Sequence, residues 1–258
     1  MRPIEAFQDT FERAHRFLRF HDGLINTRQR GIRADWKNSF CDLMHWPKAQ
    51  QIERVDSRDA VLILRNTAAI IADDFSSEAL EDQLRAAITF GVSALDRYVH
   101  ERIVKGFVTA FRSSTLLKQQ REFMVPATLA IDIVNKVSAA ARNNDDIRPA
   151  NEIRNVVQKA LHKRPFQSWS EIEYGFNLLG YTNISKEIKE KTNSTDVEIS
   201  NLKEKLGKIV ARRNQIVHEG DLQRHQRGGQ VSVQPIMRKW VEESLSDIKT
   251  IVTKLDAI

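Results

Sequence analysis

The feature that most constrains this chain is an apolar series running through residues 80–111. Leu80, Leu84, Ile88, Val92, Leu95, Val99, Ile103, Phe107 and Phe111 recur at steps of three and four, the period of one helix face. Just before it, "DDFSSEALEDQ" offers Ser76 or Ser77 as an N-cap and acidic residues for the first turn, where the helix dipole favours them. The spacing predicts a helix from about 76 to 111, long enough to be the backbone of a domain.

The rest of the chain is helical in period nearly throughout. Ile4, Phe7, Phe11, Ala14, Phe17 and Leu18 give an amphipathic helix over 4–20. Further helices are predicted over about 127–142, over 150–161 behind Pro149, and over 168–180 with Gly180 as its stop. Another runs over 194–220, capped by Ser194 or Thr195 and closed by Gly220, and Pro235 opens a last one to about 256. Residues 21–57 read as irregular, broken by Gly23, Gly31 and Pro47, with Trp36, Phe40, Leu43 and Trp46 as expected anchors. "AVLILRN" (60–66) fits either a short strand or a buried helical segment, since period alone does not decide. The expected fold class is therefore all-α, a helical bundle over 76–258 with an N-terminal helical extension over 1–75.

Composition narrows the function classes. Hydrophobic residues are 41% and charged residues 29% of 258, with ten Gly and six Pro, a soluble and helix-rich profile. The single cysteine, Cys41, excludes an intrachain disulfide and a cysteine-based zinc site and reads as a buried structural thiol. No apolar run approaches the roughly 18 residues of a membrane span, and the N-terminal stretch lacks a signal-peptide pattern; the expected location is cytoplasmic, with no membrane contact. The sequons at Asn183 and Asn193 carry no meaning in such a chain. Net charge is +6 with a pI near 9.5, and residues 16–37, 162–165 and 223–227 are locally basic. A polyanion, with nucleic acid foremost, is the expected partner. There is no P-loop, no G-x-G-x-x-G and no G-x-S-x-G, which removes the common nucleotide-hydrolase and esterase readings.

One polar stretch, "RRNQIVHEGD" (212–221), closes the helix predicted over 194–220. On a helical projection Leu202, Leu206, Ile209, Val210, Ile216 and Val217 form an apolar stripe with Arg213 at its centre. Arg213 must then be buried with an anionic partner or stand where two helices leave a cleft. Gly207, Ala211, Asn214 and His218 follow one another along the flank, suiting a close helix or subunit contact. Arg213 and His218 are about 140° apart around the axis. One helix is thus expected not to focus both on one small group, and two copies about a two-fold axis are expected to share a cleft. The plainer reading, a histidine favoured by the dipole at a helix end, stands beside this one.

"RNQIVHEGD" resembles the R-x4-6-H motif of HEPN domains (higher eukaryotes and prokaryotes nucleotide-binding), most closely the RiboL-PSP branch, where Arg-Asn-x-x-x-His closes a helix. "LRAAITFGVSALDRYVHERI" (84–103) is similar to the long first helix of such domains. The resemblance covers roughly 76–220. It implies a HEPN-like bundle that dimerises through the motif helices and cuts RNA without a metal or other cofactor. The motif maps onto Arg213, Asn214 and His218. The resemblance implies His218 as general base or acid, Arg213 as stabiliser of the phosphorane charge, and Asn214 as orienting group. Proteins resembling this one act as toxins or antiviral effectors, which implies a neutralising or regulatory protein partner.

Other polar residues are secondary candidates. Asp96 and His100, four apart on the long helix, fit a solvated face, while Asp96 can also support the motif from behind. Arg212 and Arg224 are candidates for RNA backbone contacts or plain surface cations. Glu219 and Asp221 sit beside His218 in sequence and are candidates to raise its pKa, with capping and solubility as the plainer explanation. His218 and His225, seven apart without a third ligand, make a poor zinc site. The alternative to an endoribonuclease is a non-catalytic helical dimer that binds RNA or a protein.

Overall fold

The structure, a computed structural model, describes residues 2–143, 148–222 and 232–258. Its centre is helix α3 (Ser77–Arg112), whose N-cap is Ser76: the side chain accepts a hydrogen bond from the Ala79 amide. In most soluble helices one face meets water, but α3 buries residues around most of its circumference, from Leu84, Ile88 and Leu95 to Ala94, Val104 and Val108. Such a helix belongs in the middle of a bundle.

Helix α1 (Pro3–Leu24) lies along it, inserting Phe7, Phe11, Ala14 and Leu18 into the same core. Helices α6 (Pro149–Leu161), α7 (Trp169–Asn177), α9 (Asp196–Glu219) and α10 (Arg238–Asp256) also pack on α3. Gly91 has no side chain to obstruct α10, whose Leu245 fills the space a Cβ would need. Helix α8 (Ile184–Thr192) supports α9 and α10 from outside and buries Ile184 and Ile188. Asn183 caps its start by accepting from the Lys186 amide, and Asn193 ends it in the left-handed region at φ 50°. The two sequon asparagines are thus helix caps.

The all-α expectation holds for the bundle, and a small sheet accompanies it. Strands β1 (Arg28–Arg30), β2 (Ile52–Asp56) and β3 (Val61–Arg65) pair antiparallel in that order, with Val55 facing both Gln29 and Leu62. The ambiguous 60–66 segment is therefore a strand, and the region expected as a helical extension is partly β. The sheet holds to α1 through the Ser57 hydroxyl, which donates to the Gly23 carbonyl at 2.7 Å.

Between β1 and β2, helix α2 (Ala34–Leu43) buries Cys41, as expected of a structural thiol. The aromatic anchors are different: Trp36 stacks on Phe40, Trp46 meets Phe40 edge-on, Trp36 keeps 38% exposure and Leu43 keeps 76%. They stabilise a surface cluster, not a deep core. Helix α5 (Ala127–Asn143), preceded by the short α4 (Lys118–Arg121), stands at the periphery with Ile131, Val134 and Val137 exposed. No helix of the described residues is long and apolar enough to cross a membrane.

Candidate functional site

Helix α9 carries the motif and is written clearly at both ends. Thr195 forms a capping box with Glu198: the Glu198 amide donates to the Thr195 hydroxyl, and the Thr195 amide donates back to the Glu198 carboxylate at 2.8 Å. Gly220 ends the helix in the left-handed region at φ 61°, and Asp221 follows at φ 59°. Ile199, Leu202, Leu206 and Ile209 bury the inner face. In the last two turns that face becomes polar, and adjacent arginines leave it on different sides.

Arg212 turns inward. It is 8% exposed, and its Nη2 donates to Asp221 Oδ2 at 2.8 Å and to the Gln234 carbonyl at 2.9 Å. Arg85 of α3 meets the same carboxylate oxygen through Nε at 2.8 Å and the same carbonyl through Nη2 at 2.9 Å. Asp221 is 1% exposed. Two arginines and one aspartate thus join α3, the end of α9 and the approach to α10 in a buried ionic cluster.

Two sequence expectations are corrected here. Arg212 lacks the exposure that an RNA contact requires, and Asp221, although three residues from His218, faces away from it into the core. Arg224 and the basic 223–227 stretch, including His225, lie outside the described residues.

Arg213 turns to the other side. Arg213, Asn214 and His218 line one open cleft of about 410 Å³ with Asp96 of α3 and residues 162–167, the loop joining α6 to α7. Arg213 is half-buried; its Nε is enclosed without a hydrogen-bond partner, and its Nη1 donates to Asn214 Oδ1 at 3.1 Å. It therefore occupies the cleft position, one of the two the projection left open. Arg213 and His218 of one chain thus line the same cleft, and the expectation that one helix would not focus both on one small group is compatible with a cleft of this width. His218 is exposed, and among the described residues nothing hydrogen-bonds its ring.

Asp96 forms the inner wall. Its Oδ1 accepts the Phe166 amide at 2.5 Å, and His100 Nε2 lies 3.8 Å from its Oδ2. Burial pushes the Asp96 carboxyl above the usual carboxylate range, offset by His100, the Phe166 amide and Arg213. Burial also lowers His100, an effect that Asp96 opposes. Phe166 is fully buried and meets the His100 ring edge-on at 4.7 Å. Asp96 and His100 are thus no solvated face. Together they fasten the 162–167 loop to the floor of the cleft.

The loop is the part of the site that single-residue reasoning missed. Its basic residues read as one patch among three, and nothing in the sequence joins position 163 to position 213. Arg164 is committed to α7, bonded to Glu171 through Nε at 2.5 Å and lying 3.5 Å over the Tyr174 ring. Among the described residues no group of three His, Cys, Asp or Glu gathers in an arrangement that could hold a metal ion.

Comparison with curated proteins and with solved structures gives no match. Comparison with protein families does. The RiboL-PSP-HEPN family matches residues 56–258, a longer stretch than the 76–220 resemblance, starting at the last residue of β2 and running through α10. A match over most of the chain, with Arg-Asn-x-x-x-His at the end of α9, establishes that this protein belongs to the RiboL-PSP-HEPN family.

Proposed function

We propose that the protein is a homodimeric endoribonuclease that cuts RNA without a metal ion. HEPN domains are generally associated with RNase activity. The observation that carries the reading is the convergence of Arg213, Asn214 and His218 on one open cleft backed by Asp96. An exposed imidazole with no hydrogen-bond partner among the described residues is available for proton transfer. His218 takes the proton from a ribose 2′-OH or gives one to the leaving 5′-oxygen. The 2′-oxygen bonds to phosphorus as the P–O5′ bond breaks, leaving a 2′,3′-cyclic phosphate and a 5′-OH. Arg213 offers guanidinium donors to the phosphorane oxygens, with Asn214 beside it.

Dimerisation rests on the outer flank of α9. Gly207, Ala211, Asn214 and His218 are all exposed there, and a Cβ at Gly207 would meet nothing within 4 Å. Two α9 helices packed along this flank would set two clefts side by side. Ala211→Arg is then expected to turn a dimer into a monomer in sedimentation analysis. A dimer unchanged by that substitution would remove α9 from the interface.

The activity test uses purified protein with tRNA or total RNA in EDTA. Cleavage is expected to persist in EDTA and vanish in His218→Ala. Cleavage that survives the substitution, or stops on chelation, overturns the mechanism; RNA binding without any cleavage favours a non-catalytic dimer. A toxin or defence role, restrained by a neutralising protein, predicts growth inhibition on expression that His218→Ala relieves.

A further inference from the structure

The wall of the cleft facing α9 is the 162–167 loop, and its charges are unevenly employed. Arg164 is occupied by Glu171 and Tyr174. His162 and Lys163 are exposed, line the cleft, and have no hydrogen-bond or ion-pair partner for their side chains among the described residues. Asp96, the one acid lining the cleft among the described residues, already accepts the Phe166 amide and lies 3.8 Å from His100. Cations therefore outnumber anions at this place, and the surplus lies on the loop side.

The loop is also held in position. Phe166 is fully buried, its amide is bonded to Asp96, and α7 begins directly after it with Ser168 as N-cap. Fixing Phe166 and Arg164 holds the backbone beside Lys163, so that an anion arriving there meets a charge needing little reorganisation.

We propose that Lys163, with His162 beside it, binds a non-scissile phosphodiester of the RNA strand, next to the one presented to Arg213 and His218. This rests on the endoribonuclease reading for the identity of the strand. The cleft is at the small end of ligand sites, which run roughly 300–1,000 Å³. It suits a single strand laid across it with one phosphate on each wall, not a duplex. A lysine acts here as a point charge for a backbone phosphate and carries no base preference.

The experiment measures binding of two single-stranded RNA oligonucleotides of different sequence to the His218→Ala protein over a range of salt. Each phosphate contact on a single strand contributes about 0.7 to the slope of log affinity against log salt. Lys163→Ala is expected to reduce that slope by about 0.7 for both oligonucleotides and to weaken binding roughly three- to tenfold, and Lys163→Arg is expected to restore both. Lys249→Ala on the exposed side of α10 removes the same charge away from the cleft, and is expected to leave the slope alone. An unchanged slope in Lys163→Ala, an equal change in Lys249→Ala, or a loss confined to one sequence overturns the proposal. Cleavage by the unsubstituted protein tests the catalytic reading separately. A protein that binds with the predicted slopes but never cuts refutes catalysis while keeping the phosphate site.

Discussion

The last two turns of α9 separate two charged clusters with opposite character. On one side Arg85 and Arg212 are buried with Asp221, both donating to its Oδ2 and to the Gln234 carbonyl. On the other, Arg213, Asn214 and His218 open onto water, with Asp96 behind them. Removing charges from solvent is costly unless they are paired and hydrogen-bonded. The buried cluster is paired through Asp221 Oδ2 and the Gln234 carbonyl, with Arg212 Nη1 and Asp221 Oδ1 enclosed without a partner among the described residues, and its charges hold three chain segments together. The open cluster has donors left over. Adjacent arginines of identical chemistry thus acquire different tasks from a rotation of about 100° around one helix.

The largest expected effect lies on the open side. His218→Ala removes the proton-transfer group and is expected to lower the cleavage rate about 10²–10⁴-fold, with a thermal unfolding midpoint close to the parent's. A large loss of stability would instead assign His218 to the fold. Asp221→Ala is the converse experiment. It leaves buried Arg212 without its ion partner, while Arg85 keeps Glu81 and Asp82, and is expected to cost roughly 3–5 kcal/mol, measurable by urea denaturation. A cost near that of a surface substitution would show that the cluster is not the anchor described here.

Asp96→Asn connects the two sides, because it keeps an acceptor for the Phe166 amide but loses the charge facing Arg213. It is expected to lower turnover by roughly tenfold to a hundredfold through misplacement of Arg213 and the loop, while stability changes little. Turnover equal to the parent's would confine Asp96 to a structural task.

The smallest effect is on pH dependence. Burial lowers the His100 pKa, so the contribution of this residue to stability is fully present above the ordinary value of about 6.5 and is lost as pH falls through its lower folded value. Asp96, raised by burial, acts in the opposite sense. Its contribution is fully present below about 3.9 and is lost as pH rises through its higher folded value. Unfolding midpoints between pH 7.5 and 5 should therefore fall less in His100→Gln than in the parent. Parallel curves would remove His100 as a source of acid sensitivity.

The legible part of the molecule was the part written in local chemistry. Ser76 and Thr195 as caps, Gly220 as a stop and the three-four series of α3 each act within a few residues, and the structure follows them closely. Helix α8 is short, and its caps Asn183 and Asn193 read as sequons; Ile184 and Ile188, four apart, were the available signal. The sheet was obscure because β1 has three residues and β2 breaks strand alternation with the adjacent charges Glu53 and Arg54, so its pairing depends on partners distant in sequence. At the site, the motif's polar residues were readable, but the fates of Arg212 and Arg213 depended on Arg85 and Asp96, more than a hundred positions earlier. No local pattern specifies which arginine finds the buried acid.

Those two partners lie eleven residues apart on α3, about 16 Å along a helix. Arg212 goes to the acid beside Arg85, and Arg213 lines the cleft whose inner wall is Asp96. Helix α9 is therefore keyed in rotation, with the Arg212–Asp221 pair as the pin and the cleft residues set by it. A single-residue insertion anywhere between Ile209 and Arg212 would turn the helix end by about a quarter turn, taking Arg212 off Asp221 and Arg213 away from the cleft together. Anchorage and chemistry in this protein consequently share one mechanical degree of freedom, and neither can drift without taking the other with it.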